Sequence, residues 1–206
     1  MSTRNLKAIF TAISVVFLIN NQASAQTFNV DSVLNSMTFE EMVGQLFMVA
    51  AYSNKDEAHF AELEKLVSDY HIGGVIVMQG GPERQKKLLD RLQGAAKVPL
   101  LVGQDAEWGQ AMRLDSTYKF PTSLTVGAAG GTEDAYYLGA AMARECSAVG
   151  VHMSFSPVLD VNTNAANPII GARSFGSNAT LVDAMGRSVI RGIQDEKVLA
   201  CGKHFP

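Results

Sequence analysis

The feature that most constrains this chain is an alternation of two patterns. Short apolar runs rich in β-branched residues recur along it, and stretches with helical spacing separate them. The runs at 47–50, 75–78, 99–103, 152–156 and 198–202 read as five strands. Between them, residues 55–70 place Phe60, Leu63, Leu66 and Val67 on one face. Residues 82–96 open on Pro82, suited to a first helical turn, and residues 133–149 end at Gly150, suited to a C-terminal cap. Residues 180–196 repeat the helical spacing. Near-continuous apolar strands alternating with amphipathic helices predict parallel βαβ units, with strands covered on both faces. Ahead of these, Asp31 is expected to cap a short helix through Val33 and Leu34. Thr38-Phe39-Glu40-Glu41 reads as a capping box, with Met37 and Met42 placed as a hydrophobic staple.

Two architectures fit that pattern, an open doubly wound sheet and a closed barrel. The two long polar segments, 104–132 and 160–179, both follow strands, and barrels build their sites from such loops. No glycine-rich phosphate turn opens a helix, which weakens the dinucleotide-binding alternative. The expected class is therefore α/β, a (β/α)8 TIM-type barrel. Such a barrel needs roughly 250 residues, and this chain has 206. The barrel is expected to be truncated after about five strands, leaving 198–202 as an unpaired edge and a chain that folds poorly alone.

Composition narrows the class further. The chain is 47% hydrophobic and 18% charged with formal charge −3, values of one globular domain. They exclude a disordered chain and give no basic excess for nucleic acid. Arg4 and Lys7, the apolar run from Ala8 to Ile19 and Ala23-Ser24-Ala25 read as a secretory signal peptide over residues 1–25. The run is shorter than the roughly 20 apolar residues of a membrane span. The mature domain is then 26–206, periplasmic or secreted, with no membrane attachment after cleavage. Cys146 and Cys201 are expected to be buried free thiols. His59, His71, His152 and His204 are scattered, so no metal and no cofactor are expected.

Four clusters fall at or just beyond strand ends. Gln104-Asp105-Ala106-Glu107-Trp108-Gly109, followed by Arg113, offers a carboxylate beside an aromatic ring. That pairing suits a sugar, whose hydroxyls donate to Asp and whose C–H face stacks on an aromatic; a helix-capping Asp is the plainer alternative. Ser156-Pro157-Val158-Leu159-Asp160 ends on an Asp that is either a catalytic carboxylate or, the expected role, the cap of a local turn. Asn167–Gly176 carries Arg173 in a loop shaped by Gly and Pro, either as a fork of donors for a ligand or as a surface Arg tied to an acid. Lys203-His204-Phe205-Pro206 brings a cation and an imidazole to a strand end, where they need polar partners.

In this order the four clusters resemble the N-terminal domain of glycoside hydrolase family 3, and within it the bacterial β-N-acetylglucosaminidase (β-N-acetylhexosaminidase) branch. The resemblance covers about residues 31–206. Residues 37–46 resemble the family's opening helix and 156–161 its fourth-strand motif. Residues 167–175 are similar to the branch's N-P-x-I-G-x-R-S-F loop. The resemblance implies that Asp105, Arg113, Arg173, Lys203 and His204 bind the terminal sugar. It also implies hydrolysis in two steps through a glycosyl-enzyme, with retention. The nucleophile and the acid/base histidine are then expected beyond Pro206, so no catalytic residue lies within the fragment, which is expected to be inactive alone. The implied partner is an N-acetylglucosamine-containing glycan of peptidoglycan or chitin type. Trp108 departs from the branch's Glu-Gly-Gly run, and Ala172 replaces an acidic residue. A β-glucosidase-like relative, a non-catalytic sugar-binding module and an unrelated open α/β binding protein are the alternatives.

Overall fold

The computed structural model describes residues 29–205. The expected signal segment lies outside them. The chain divides after Met37 into two units. In the first, α1 (Val30–Asn35) is capped by Asn29, whose side chain accepts from the Ser32 N–H at 3.0 Å. Asp31, expected at the cap, lies in the first turn instead, where a carboxylate favours the helix dipole.

In the second unit the capping box forms as the sequence predicts. Glu41 N–H donates to Thr38 Oγ1 at 3.2 Å and Thr38 N–H to Glu41 Oε2 at 2.8 Å, opening α2 (Phe39–Gly44). The alternation follows: β1 (Met48–Ala51), α3 (Glu57–Tyr70), β2 (Gly74–Val77), α4 (Pro82–Ala95) and β3 (Leu101–Gln104). Next come α5 (Ser123–Ala129), α6 (Thr132–Ala148), β4 (Met153–Ser154), α7 (Ala179–Asp195) and β5 (Leu199–Ala200). α4 starts on Pro82 at its first turn, and Gly150 follows α6 with φ 79°, the left-handed value expected there.

The five strands form one parallel sheet in the order β1-β2-β3-β4-β5. That order decides between the two architectures. A doubly wound sheet reverses its strand order at a switch point. Here each crossover steps the same way along the sheet, and with the right-handed connection general to parallel βαβ units that carries the crossover helices to one face, as in a barrel wall. The core lies between that wall and the helices. One buried cluster joins Val75, Val77 and Val102 of the strands with Leu63, Val67, Leu88, Leu92, Met142, Met185 and Ile193 of the helices.

Several boundaries differ from expectation. α5 lies inside 104–132, a segment that read as loop. β4 and β5 keep two residues each, shorter than 152–156 and 198–202. Their pairing nevertheless continues past the strand ends. Lys203 N–H donates to Pro157 O at 3.0 Å and Leu159 N–H to Lys203 O at 2.6 Å, with a parallel bridge between Val158 and Lys203. Both cysteines are free. Cys146 is fully buried, and burial pushes its thiol up to about 12. Cys201 is only half-buried, next to β5, which among the described residues is the outer strand of the sheet.

Candidate functional site

The site follows from parallel winding, because every strand of a parallel sheet delivers its C-terminal end to the same rim. β3 ends at Gln104, so Asp105 and Glu107 stand just past it. The continued β4–β5 pairing brings Asp160 beside Lys203 and His204. The third contributor is the loop between β4 and α7, which carries Arg173 on a single 3-10 turn, Gly171–Arg173.

That loop is long, yet it is fixed by its own chemistry. The Asn167 side chain accepts from the Ile169 and Ile170 N–H groups at 2.8 and 3.1 Å. Buried Ser174 donates its hydroxyl to Asp160 O at 2.6 Å, and buried Phe175 anchors the turn. α5 supports it from behind. A Cβ on Gly127 would stand 2.0 Å from Phe175 O, so only glycine allows that approach. Asn178, within the sequence Asn-Ala-Thr, caps α7 by accepting from the Leu181 N–H at 3.1 Å.

The charged groups form one connected cluster. Asp105 accepts from Arg113 at 2.6 Å on one oxygen and from Lys203 at 2.7 Å on the other. Glu107 accepts both Arg173 Nε and Nη2 at 2.8 Å, a bidentate pair, and Lys203 Nζ approaches it to 2.7 Å. Asp160 accepts from His204 through Nδ1 at 2.7 Å and backbone N–H at 3.2 Å. His204 Nε2 lies 3.5 Å from Arg173 Nη2. Three carboxylates thus meet three permanent cations, and the imidazole sits at the end of the chain of contacts.

Burial separates the roles within the cluster. The Glu107 side chain is 2% exposed and that of Asp105 is 22% exposed. Glu107 is closed off and spends its oxygens on Arg173 and Lys203. Asp105 has one partner per oxygen and leaves lone pairs toward solvent. Burial pushes the Asp105 carboxyl up, but hydrogen bonds and charge from Lys203 and Arg113 outweigh it and hold it below the ordinary carboxylate range. The same balance acts on Glu107, with Arg173 and Lys203 overcoming its burial.

The five residues expected to bind a sugar, Asp105, Arg113, Arg173, Lys203 and His204, therefore lie in one contact network. Two further residues belong to it. Asp160 does not cap a local turn; its side chain reaches across to His204, because the β4–β5 pairing runs on beyond the strands. Glu107 is the second, a residue to which the resemblance gives no role. The signal that marks it is its place two residues after Asp105 with buried Ala106 between them, an extended spacing that turns both carboxylates the same way. Among the described residues no group of three or more His, Cys, Asp or Glu is arranged to hold a metal ion. No described helix is long and apolar enough to cross a membrane.

A singly wound parallel wall with charged groups gathered at its C-terminal rim is the architecture of a barrel-type protein. The sequence profile described as "Glycosyl hydrolase family 3 N terminal domain" matches residues 38–206, and the chain belongs to that family. It is similar to the beta-N-acetylglucosaminidase/beta-glucosidase of Cellulomonas fimi, 31% identical over 177 residues that cover 86% of this chain and 31% of that protein. It is also similar to a beta-hexosaminidase of Thiobacillus denitrificans, 34% identical over 150 residues, 68% of this chain and 42% of the relative. Among solved structures it resembles a family 3 beta-N-acetylglucosaminidase from Paenibacillus, with TM-score 0.73 and 36% identity over 83% of this chain and 34% of that one. A beta-glucoside phosphorylase bound to 2FGlc superposes with TM-score 0.79 and 27% identity over 85% of this chain and 31% of that one. The chain thus spans about a third to two-fifths of these relatives. They are α/β barrel proteins, and the five-stranded parallel wall matches the first part of such a barrel.

Proposed function

We propose that this chain supplies the terminal-sugar subsite of an exported, exo-acting β-N-acetylhexosaminidase that works with retention on an N-acetylglucosamine-containing glycan of peptidoglycan or chitin type. The observation that carries this reading is Asp105. It is ionised, fixed from both sides by Lys203 and Arg113, and left with accepting lone pairs at the rim. A pair of hydroxyls on a neutral sugar fills those lone pairs, while the cations around it donate to ring oxygens. The balanced charge of the cluster suits a neutral ligand. Hexosaminidase-named relatives and the Arg173 loop support the N-acetyl preference. In double displacement a free carboxylate attacks the anomeric carbon. Asp105, Glu107 and Asp160 are all held by cations or by His204, so on this reading the nucleophile and the acid/base come from outside the described residues. Residues 1–25 direct export.

The test uses protein expressed from the whole reading frame. Turnover of p-nitrophenyl N-acetyl-β-glucosaminide is expected to exceed that of the β-glucoside by at least about tenfold in kcat/KM. Asp105→Ala is expected to lower it by about 100-fold. A β-glucoside preference supports the second reading, favoured by the names of the Cellulomonas fimi and phosphorylase relatives. Running both assays with and without phosphate separates hydrolysis from phosphorolysis. Sugar binding without turnover marks a non-catalytic module. Deleting residues 1–25 is expected to leave the protein in the cytoplasmic fraction.

A further inference from the structure

We propose that Asp160 is a positioning residue for His204: its carboxylate fixes the imidazole as the Nδ1–H tautomer and leaves Nε2 as a hydrogen-bond acceptor at the rim. The proposal rests on the terminal-sugar reading of the site. Its evidence is the pair of neighbours that His204 meets. On one side, a single oxygen of Asp160, Oδ2, receives both the ring Nδ1 at 2.7 Å and the His204 backbone N–H at 3.2 Å. An ionised carboxylate only accepts, so Nδ1 carries the proton. On the other side, Nε2 faces Arg173 Nη2 at 3.5 Å. A guanidinium only donates, so Nε2 presents its lone pair there. Both neighbours demand the same tautomer, and which nitrogen holds the proton is set by the partner of the other.

The backbone makes Asp160 suited to this task. The β4–β5 pairing continues through Val158 and Lys203, which brings Asp160 within hydrogen-bond reach of His204. The Asp160 carbonyl is itself held by the buried Ser174 hydroxyl at 2.6 Å, on the loop that carries Arg173. One residue therefore ties the imidazole to the Arg173 loop. The His204 side chain remains 48% exposed, and its Nε2 contact with Arg173 is long at 3.5 Å, so a ligand hydroxyl can take that lone pair in place of the guanidinium. A sugar hydroxyl donating to Nε2 makes His204 an accepting partner beside Asp105, while Lys203, Arg113 and Arg173 donate. Asp160 acts through His204 and does not touch the sugar.

The experiment is nitrogen-15 NMR of histidine-labelled protein expressed from the whole reading frame, with the His204 signals assigned by their loss in His204→Gln. Wild type is expected to show Nδ1 at a pyrrole-type shift and Nε2 at a pyridine-type shift. Asp160→Asn and Asp160→Ala are expected to move His204 to the Nε2–H form or to a tautomer mixture. In the same variants KM for the N-acetyl-β-glucosaminide is expected to rise about tenfold with a smaller change in kcat. A residue that only braced the fold would lower stability without exchanging the ring proton. Nε2–H in wild type, or an unchanged tautomer in both variants, overturns the proposal. So does an unchanged KM in an active protein. If the tautomer shifts as expected but wild type neither binds nor cleaves N-acetylglucosaminides, the functional reading fails and the role of Asp160 toward His204 stands.

Discussion

At the scale of single residues, Glu107 is the side chain on which the site's geometry depends most. It is 2% exposed, and three cationic contacts from Arg173 and Lys203 neutralise it. Removing one partner of a buried ion pair leaves an uncompensated charge, which costs several times more than the pair contributes when intact. Glu107→Gln is therefore expected to destabilise the protein by about 3 kcal/mol in urea denaturation and to raise KM as Arg173 and Lys203 drift. The pH dependence follows from the depressed carboxyls of Glu107 and Asp105. Their stabilisation is fully present above the ordinary carboxylate range and is lost as pH falls through their lower folded-state values. A melting series from pH 7 down to pH 3 is expected to fall more steeply for wild type than for Glu107→Gln. Asp105, Arg113, Arg173, Lys203 and His204 were legible in the sequence because their four clusters, in order, resemble one family's motifs, and because charged groups at the ends of apolar strands need polar partners. Glu107 and Asp160 were not, because spacing reports that a carboxylate is near a strand end but not which partner it finds across the rim.

At the scale of elements, the α6–α7 pair shows how closely the chain is fitted. A Cβ on Gly139 of α6 would lie 2.4 Å from Val189 O, and one on Gly192 of α7 would lie 2.1 Å from Tyr136 O. The obstructing atoms are backbone, so the helices must separate to admit even a methyl group. Gly139→Ala is expected to cost about 2–3 kcal/mol by overpacking. Gly94→Ala is the matched control. Its Cβ would meet nothing within 4 Å in α4, so the usual advantage of Ala over Gly in a helix, roughly 0.5–1 kcal/mol, is expected to appear as added stability. The opposite signs, read from urea midpoints, separate close approach from helix propensity. The long helices were legible because each presents an apolar stripe over several turns. α5 was not. Seven residues with Thr125, Val126 and Gly127 inside carry little helical preference, and its helix is held by the Phe175 loop packed against it. β4 and β5 read longer than they are because an apolar run records burial, whereas a strand also needs a neighbour to pair with.

At the scale of the whole molecule, the decisive feature is that the sheet has two ends. Among the described residues β2, β3 and β4 are paired on both sides, but β1 and β5 each have one neighbour in the order β1-β2-β3-β4-β5. Beside β1, Phe39, Val43, Phe47, Val49, Leu66, Tyr70 and Ile72 line an apolar groove of about 510 Å³. Phe39 is 72% exposed, Phe47 57% and Leu46 84%. Soluble monomers rarely leave so continuous an apolar surface uncovered, and an unpaired parallel edge next to it offers a template for another chain. Residues 38–206 expressed alone are therefore expected to bind a hydrophobic dye, to self-associate with rising concentration and to melt without a sharp transition. Leu46→Lys and Phe47→Lys together are expected to reduce that association. Neither residue has a side chain in the charged cluster, so the site's contacts should survive the change. A monomer in sedimentation with a cooperative, concentration-independent melt would show that five strands and their helices suffice. The opposite result, with stability restored when the whole reading frame is expressed, would locate the missing stabilisation in the covering of β1 and β5 and not in the core, which is already closely packed around Val75, Leu92 and Ile193.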